Sequence, residues 1–355
     1  MFRVGVGLDI GASAVKIVEL EESRKIKLNR LGMIPLPSGV FSGGEIKDQL
    51  EISEAVRDLI RISGIQITQV VVALSSLSNM VKLIKIPLQN RADISDIVKK
   101  EAQKHLTEPL SEINLDYHVV GTDKDRRETE VLLIWAHQKV IRGYLHALQS
   151  AGLKPVAIDI QQCALIRSAG FESRKIYEYC GILDIGEEST NLIITKAGIP
   201  VFTRVIPLAG GKLTQMISSG LGLPLGAAEE LKILYGDALY NQQQTVADEM
   251  ELKVNSLVNQ WLKELSLELQ RSIEYFQLQQ IGKPVIGRLA VSGGGSMIKN
   301  LIPYLIKEFS LEVCRYQTGE KYDVPLELKH QLEEALPMYN VALGLALREV
   351  TDDCE

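Results

Sequence analysis

Several things are missing from this chain, and each absence closes off a class of function. No apolar run approaches the ~18 residues that a membrane-spanning helix needs, so direct insertion into a bilayer is not expected. Its four cysteines, Cys163, Cys180, Cys314 and Cys354, show neither Cys-x-x-Cys spacing nor a metal-ligand pairing. They read as reduced, mostly structural thiols of a cytosolic chain. There is no excess of positive charge: the formal net charge is −6 and neither half is strongly basic, which argues against nucleic acid as a partner. The start of the chain runs straight into a strand pattern, without the cationic and long apolar segments of a signal peptide. Any work at a membrane is therefore expected to go through a partner. Apolar residues, by contrast, make up 46% of the 355, enough for about two domains with cores of their own.

The most informative stretch is Gly7-Leu8-Asp9-Ile10-Gly11-Ala12-Ser13-Ala14-Val15-Lys16, because it nearly recurs as Leu183-Asp184-Ile185-Gly186-Glu187-Glu188-Ser189-Thr190. In both copies an apolar run ends in Asp-Ile-Gly, a hydroxyl residue follows, and a second apolar run begins. That pattern predicts a β-hairpin with a small-residue turn. Glycine lets the backbone come close to a ligand, and the bare N–H groups of such a turn make a concavity suited to an anion. Lys16 can add a point charge for phosphate, while Asp9 and Asp184 can each hold Mg²⁺ through water. Two copies far apart in the chain suggest duplicated halves that face each other across a cleft.

Along the chain, the patterning predicts a third strand at 25–34, a helix at 54–62 and a strand at 69–74, the last buried on both faces as in a parallel sheet. Residues 80–150 change character. Strands at 81–86, 114–120 and 130–137, with helices at 94–106 and 140–151, read as a small α+β module inserted into the first half, and Asp123-Lys124-Asp125-Arg126-Arg127-Glu128 reads as its solvated hairpin tip. A strand at 155–160 and a helix from Gln161 return to the first half. The second half continues with a strand at 199–206, helices at 212–219 and 226–234, and a long helix at 248–279 whose apolar stripe is expected to face the core. Arg288-Leu289-Ala290-Val291-Ser292-Gly293-Gly294-Gly295-Ser296 then predicts a strand opening through three glycines into a helix from Lys299, an arrangement that lets backbone amides approach a nucleotide. A helix at 333–350 with small residues Ala342, Gly344 and Ala346 closes the chain, followed by an acidic tail.

Taken together, these residues resemble the actin-like nucleotide-binding superfamily across nearly the whole chain. Asp9 to Lys16 is similar to its first phosphate loop, Asp184-Ile185-Gly186 to its second, and Ser292-Gly293-Gly294-Gly295-Ser296-Met297 to its adenosine motif. Gln161 with Ala164 and Gly170 resembles the connecting helix, and residues 341–347 its partner. Within the superfamily the chain resembles the PilM family of type IV pilus assembly proteins. The resemblance rests on Gly7-Leu8-Asp9-Ile10-Gly11, Glu101-Ala102-Gln103-Lys104, Leu115-Asp116-Tyr117, Ala151-Gly152-Leu153-Lys154-Pro155, Gly210-Gly211-Lys212-Leu213-Thr214, Ala228-Glu229-Glu230-Leu231-Lys232 and Gln270-Arg271-Ser272-Ile273-Glu274-Tyr275-Phe276. Two positions depart from the family pattern. Leu106-Thr107-Glu108 stands where Ile-Pro-Phe is common, and Gln161 stands where an acidic residue is common.

The resemblance implies an α/β, ribonuclease H-like duplicated, two-lobed actin-like fold. Residues 1–79 and 151–178 would form the first lobe, 80–150 an inserted subdomain of the type shared with the cell-division protein FtsA, 179–330 the second lobe, and 331–355 a helix returning to the first lobe. It implies ATP or ADP with Mg²⁺ as ligands. Asp9 and Asp184 would hold the metal through water, and Lys16 with Gly11, Ala12 and Ser13 the β-phosphate. Gly186, Ser189 and Thr190 would take the γ-phosphate. Gly210, Gly211, Glu229, Lys232, Gly293, Gly294, Gly295, Ser296 and Met297 would surround the nucleoside. Gln161, with Asp9 and Asp184, would be catalytic; glutamine orients water but is a poor base, so hydrolysis is expected to be slow. The implied partner is the short cytoplasmic N-terminal tail of a PilN-like bitopic inner-membrane protein, gripped by the inserted module and the edge of the 69–74 strand. Other pilus machinery and self-association are further implied contacts, with the chain cytoplasmic and peripheral to the inner membrane. The alternatives are an FtsA-like filament-forming membrane tether, a sugar or acetate kinase of the same superfamily, and a nucleotide fold retained only as a scaffold.

Overall fold

The computed structural model describes residues 3–87, 94–106, 108–123, 125, 127–170, 177–240, 248–280, 282–315 and 322–351. Thr107, Lys124, Arg126 and the acidic residues 352–355 with Cys354, all singled out above, lie outside the described residues.

The chain opens with three antiparallel strands, β1 (Val4–Ile10), β2 (Ala14–Glu21) and β3 (Ile26–Pro35), followed by a small hairpin of β4 (Phe41–Ser42) and β5 (Glu45–Ile46). Helix α1 (Gln49–Ser63) starts one turn earlier than the apolar spacing predicts. The reason is Asp48, whose carboxylate accepts the Leu50 and Glu51 N–H groups as an N-cap. Gly64 ends the helix in the left-handed conformation at φ 69°. Strand β6 (Gln69–Leu74) then lies parallel to β1.

An antiparallel sheet follows, built from β7 (Asn79–Pro87), helix α2 (Ile94–Gln103), β8 (Ile113–Asp123) and β9 (Glu128–His137) in the order β7-β9-β8. Ile84, Ile86, Val131, Leu133 and Trp135 pack against Ile94, Val98 and Ala102 of α2, giving this sheet its own core. Helix α3 (Gln138–Ser150) does not share that core. Its Tyr144, Ala147 and Leu148 pack with Ile52, Val56 and Leu59 of α1 under the first sheet. Strand β10 (Lys154–Ile160) pairs parallel with β6 and leads into α4 (Gln161–Ala169).

The second half repeats the first. Strands β11 (Tyr179–Ile185), β12 (Thr190–Lys196) and β13 (Ile199–Ile206) are antiparallel, and helices α5 (Gly210–Leu221), α6 (Leu225–Tyr235) and α7 (Glu249–Gln279) follow. Strand β14 (Ile286–Ser292), helix α8 (Leu301–Phe309) and β15 (Glu312–Arg315) complete that sheet. Its order is β13-β12-β11-β14-β15, and the first sheet reads β10-β6-β1-β2-β3-β16, so each half is a three-stranded meander with two parallel strands added beside its first strand. The short β16 (Tyr322–Asp323) pairs with β3, so the chain is back on the first sheet by residue 322, ahead of the boundary expected at 331.

Three expectations need correction. Strand β6 is no edge: it is paired to β1 on one side and β10 on the other, so its backbone groups are already used and it cannot accept a partner's strand. The three glycines do not open directly into a helix. A short 3₁₀ turn (Gly294–Met297) intervenes, and α8 begins only after Asn300 in the left-handed conformation. The last helix, α9 (Leu326–Val350), starts seven residues before the expected 333 and runs through Pro337, whose carbonyl accepts the Gly293 N–H at 2.9 Å and the Ser292 hydroxyl at 3.2 Å. Those bonds hold α9 to the end of β14 at the place where proline weakens the helix.

Helices α4 and α9 lie between the sheets. Ala164, Leu165, Ile166, Val341 and Leu345 share one cluster with Val71 and Ala73 of the first sheet and Ile182, Ile193 and Ala290 of the second. A Cβ at Gly344 would sit 1.9 Å from the Ala164 carbonyl oxygen, so the two helices meet backbone to backbone. Arg167 bridges them, donating to the Gly344 carbonyl at 2.7 Å and to Asp159 at 3.0 Å, while Arg348 reaches Asp159 at 3.3 Å. Gly344→Ala is expected to lower stability by about 3 kcal/mol in urea unfolding, because neither backbone can yield. Gly143→Ala, on an open face of α3 with no atom near the added carbon, is expected to stabilise by up to about 1 kcal/mol. Equal effects at the two positions would contradict the backbone contact.

Candidate functional site

The two Asp-Ile-Gly turns are the same structure residue for residue. Asp9 lies opposite Lys16 and Ile10 opposite Val15; Asp184 lies opposite Asn191 and Ile185 opposite Thr190. The Gly11 N–H donates to the Ala14 carbonyl at 3.0 Å, and the Gly186 N–H to the Ser189 carbonyl at 3.0 Å. This superposition sets Asn191 against Lys16, and Glu187 and Glu188 against Ala12 and Ser13. The first turn thus carries a cation beside its aspartate, whereas the second carries an amide and two further carboxylates.

Both aspartates are buried and share one electrostatic environment. Lys16 Nζ donates to Asp9 Oδ2 at 3.0 Å. Burial pushes the Asp184 carboxyl up to about 6, with the Asp9 charge adding to the rise; the Ser292 and Asn191 side chains and the Lys16 charge oppose it. A carboxylate of the second sheet that feels both members of the ion pair on the first places the two turns at one site. Asp9 Oδ1 and Asn191 Oδ1 are buried without hydrogen-bond partners. These hard oxygens suit Mg²⁺ held through water. Among the described residues no group of three or more His, Cys, Asp or Glu could hold a metal ion.

The second turn rests on the start of α5. The Gly210 N–H donates to the Gly186 carbonyl and the Gly211 N–H to the Glu187 carbonyl, both at 2.9 Å. A Cβ at Gly211 would fall 2.8 Å from the Glu187 backbone carbonyl oxygen, which cannot swing away, so glycine is needed for this seating. Lys232 Nζ sits 2.6 Å from Glu229, 2.9 Å from the Thr214 hydroxyl and 3.3 Å from the Gly210 carbonyl, and Thr214 also donates to Glu229. Burial raises the Glu187 carboxyl; Lys232 opposes the rise, and Glu229 and Glu188 add to it. The glycine turn after β14 packs on the other side of β11. At Gly293, φ is 81° and a Cβ would lie 2.3 Å from the Ile185 carbonyl, while at Gly295 it would meet the Ile185 side chain at 2.3 Å. Gly294 alone of the three faces open space, and Met297 beside it is 41% exposed.

The sequence-expected residues thus fall into distinct groups. Asp9 and Lys16 are paired and act electrostatically on Asp184, with Gly11 and Gly186 each two residues beyond its aspartate. Gly210, Gly211, Glu229, Lys232, Gly293 and Gly295 are joined to them through the second turn and Ile185. Ala12 and Ser13 form the open top of the first turn, and Ser189 is buried in the second. Thr190 and Ser296 are turned inward, their hydroxyls donating to the carbonyls of Leu208 at 2.6 Å and Gly293 at 2.7 Å. Gln161, first residue of α4, joins through Ser76, whose N–H it accepts at 3.1 Å. Asn191 and Glu188 have no role in the reading of the sequence, and Ser292 enters it only as the first residue of the adenosine motif. Laying the repeat out to its seventh residue after aspartate, where Lys16 and Asn191 stand, would have found the first of them.

Residues 7–350 match the model of the type IV pilus assembly protein PilM family. The chain belongs to that family. In solved structures this PilM-family chain is similar to a PilM–PilN type IV pilus biogenesis complex, at 29% identity over 98% of each chain with a TM-score of 0.86. It has the actin-like ATPase fold, shared with MreB5 of Spiroplasma citri bound to ADP at a TM-score of 0.56 and 13% identity over 98% of this chain and 96% of that one. Among curated proteins it is similar to the cell division protein FtsA of Neisseria meningitidis serogroup B, 26% identical over 95% of this chain and 88% of that protein. FtsA of Escherichia coli is 24% identical over 97% and 89%. Among the described residues no helix is long and apolar enough to cross a membrane.

The Asp184 environment has a pH signature. Its carboxyl titrates near 6 in the folded chain against an ordinary 3.8, so the stability linked to its proton is present below 3.8 and is lost as pH rises through 6. Asp184→Asn is therefore expected to be more stable than the parent above pH 7 by about 2–3 kcal/mol, the gap narrowing toward pH 5. Urea unfolding from pH 5 to 8 in chelator-containing buffer measures this, and a variant less stable than the parent at every pH would contradict it.

Proposed function

We propose that this PilM-family chain binds an adenine nucleotide between its two Asp-Ile-Gly turns. The bound state would then set its grip on the N-terminal cytoplasmic tail of a PilN-like bitopic membrane protein. The carrying observation is that buried Asp184 of the second sheet feels the charges of the buried Lys16–Asp9 pair on the first. Lys16 supplies the cation for a phosphate and is held ready by Asp9. The amides of the first turn and the open Gly294 face the ligand, and the Glu229–Lys232 pair borders the nucleoside. Mg²⁺, held through water by Asp9 and Asp184, supplies charge neutralisation for the phosphates. Gln161 accepts a backbone N–H with its carbonyl, which ties it down rather than leaving it free to turn toward water, and this supports slow hydrolysis or none.

Partner binding rests on the likeness to the PilM–PilN complex over nearly all of both chains. With β6 enclosed in its sheet, the three-stranded sheet β7-β9-β8 with α2 is the docking element we propose, and it would keep the chain on the cytoplasmic face of the inner membrane through the partner. Other pilus proteins and further copies of this chain are additional proposed contacts. Calorimetric titration with Mg·ADP and Mg·ATP tests the nucleotide reading. Asp9→Ala and Lys16→Ala are each expected to weaken binding by about 30-fold or more, the loss of a charge-assisted contact worth on the order of 2 kcal/mol. Affinities equal to those of the parent chain would reduce the site to a structural remnant.

A further inference from the structure

The inserted sheet meets the rest of the protein where β7 lies against β13 and at the turn that leads into β7. Residues 75–79 connect the end of β6 to the first residue of β7, and they form a tightly bonded turn. The Ser75 carbonyl accepts the Ser78 N–H at 2.9 Å, the Ser78 hydroxyl at 2.9 Å and the Asn79 side-chain amide at 2.7 Å. Ser75, Ser76 and Asn79 are buried. This turn is reached in two ways, once by Gln161 directly and once from Glu188 through the neighbouring β4–β5 turn. Gln161 accepts the Ser76 N–H at 3.1 Å. Glu188, in the second Asp-Ile-Gly turn, accepts the Gly43 N–H with both carboxylate oxygens, at 3.2 and 3.0 Å. Gly43 and Gly44 form the β4–β5 turn, and Gly44 lies flat on the root of the inserted sheet. A Cβ there would be 2.9 Å from the Ser78 nitrogen, and its φ of 79° favours glycine.

We infer that the Ser75–Asn79 turn is the joint through which the occupant of the cleft sets the position of the three-stranded sheet, with Gln161 and Glu188 as its two positioning residues. The inference rests on the nucleotide reading and names the path by which that site would act on the docking element. Two features suit the turn to the role. Ser76 Oγ and Asn79 Oδ1 are buried without hydrogen-bond partners, so a second arrangement can gain bonds that this one lacks. Asn79 also begins an unbroken register with β9, from Asn79 opposite Ala136 to Pro87 opposite Glu128, so a shift at the turn is carried by the sheet as a body. The sign follows from charge. The second turn already holds Glu187 and Glu188, so the end phosphate of a triphosphate beside Ser189 repels Glu188 from Gly43, and a diphosphate leaves the contact in place.

Amide hydrogen exchange across residues 75–87 tests this, comparing Mg·ADP with the magnesium complex of a non-hydrolysable ATP analogue. In the parent chain, exchange in this stretch is expected to be faster with the triphosphate analogue. In Glu188→Gln, which removes the charge that the end phosphate repels, and in Gly44→Ala, which forces apart the buried contact between the β4–β5 turn and Ser78, both nucleotides are expected still to bind, the triphosphate analogue at least as tightly in Glu188→Gln as in the parent, and the difference to disappear. Binding of both nucleotides with no difference across 75–87 in the parent, or with the full difference kept in both variants, overturns the joint alone. A parent chain that binds neither nucleotide overturns the nucleotide reading and the joint with it.

Discussion

Everything at the site depends on how closely two helices can approach. Helices α4 and α9 cross between the sheets with Gly344 against the Ala164 carbonyl, and a single methyl group there has no room. Gly5 and Gly7 of β1 lie equally close to the Ala346 and Ala342 carbonyls of α9. Backbone-to-backbone packing of this kind sets the spacing between elements to a few tenths of an ångström, because no side chain is left to adapt. The first turn hangs from β1, the glycine turn after β14 is bonded to α9 at Pro337, and the second turn packs on that glycine turn through Ile185. The small residues of these helices therefore decide whether two hairpins distant in sequence face each other at all.

Given that spacing, the duplication has a consequence that symmetry alone would not produce. Two identical turns with identical charges would leave a cleft equally attractive, or equally hostile, to an anion from both sides. Here the first turn is balanced by its Lys16–Asp9 pair, and the second gathers Asp184, Glu187 and Glu188, with Lys232 as the cation acting on Glu187. Burial then holds Asp184 close to the point where its proton is shared with solvent. The asymmetry gives the two halves different charge: a cation paired with its aspartate in the first turn, and three carboxylates in the second.

Much of this was legible in the residues. Continuous apolar runs at β1, β6 and β11 announced buried strands, and the Asp-Ile-Gly repeat announced paired turns, because hairpin chemistry is local. What was not legible is long-range. The pairing of β16 with β3 uses two residues and leaves no periodic signal. The early start of α9 follows Pro325, which precedes its first residue, while Pro337 lies inside both the expected and the observed helix, its carbonyl bonded by Ser292 and Gly293. The triple glycine reads in the sequence as a ligand contact, and two of its members are also demanded by Ile185, a residue far away in sequence. Asn191 and Glu188 carry no motif of their own and acquire a role only once the register of β11 with β12 is known.

The central claim is that both turns meet one ligand. Glycine-selective ¹⁵N labelling gives separate amide signals for Gly11 and Gly186, and titration with Mg·ADP follows both at once. The account predicts that the two signals shift together along a single binding curve with one midpoint. A shift of Gly11 while Gly186 stays still, or two curves with different midpoints, would contradict it.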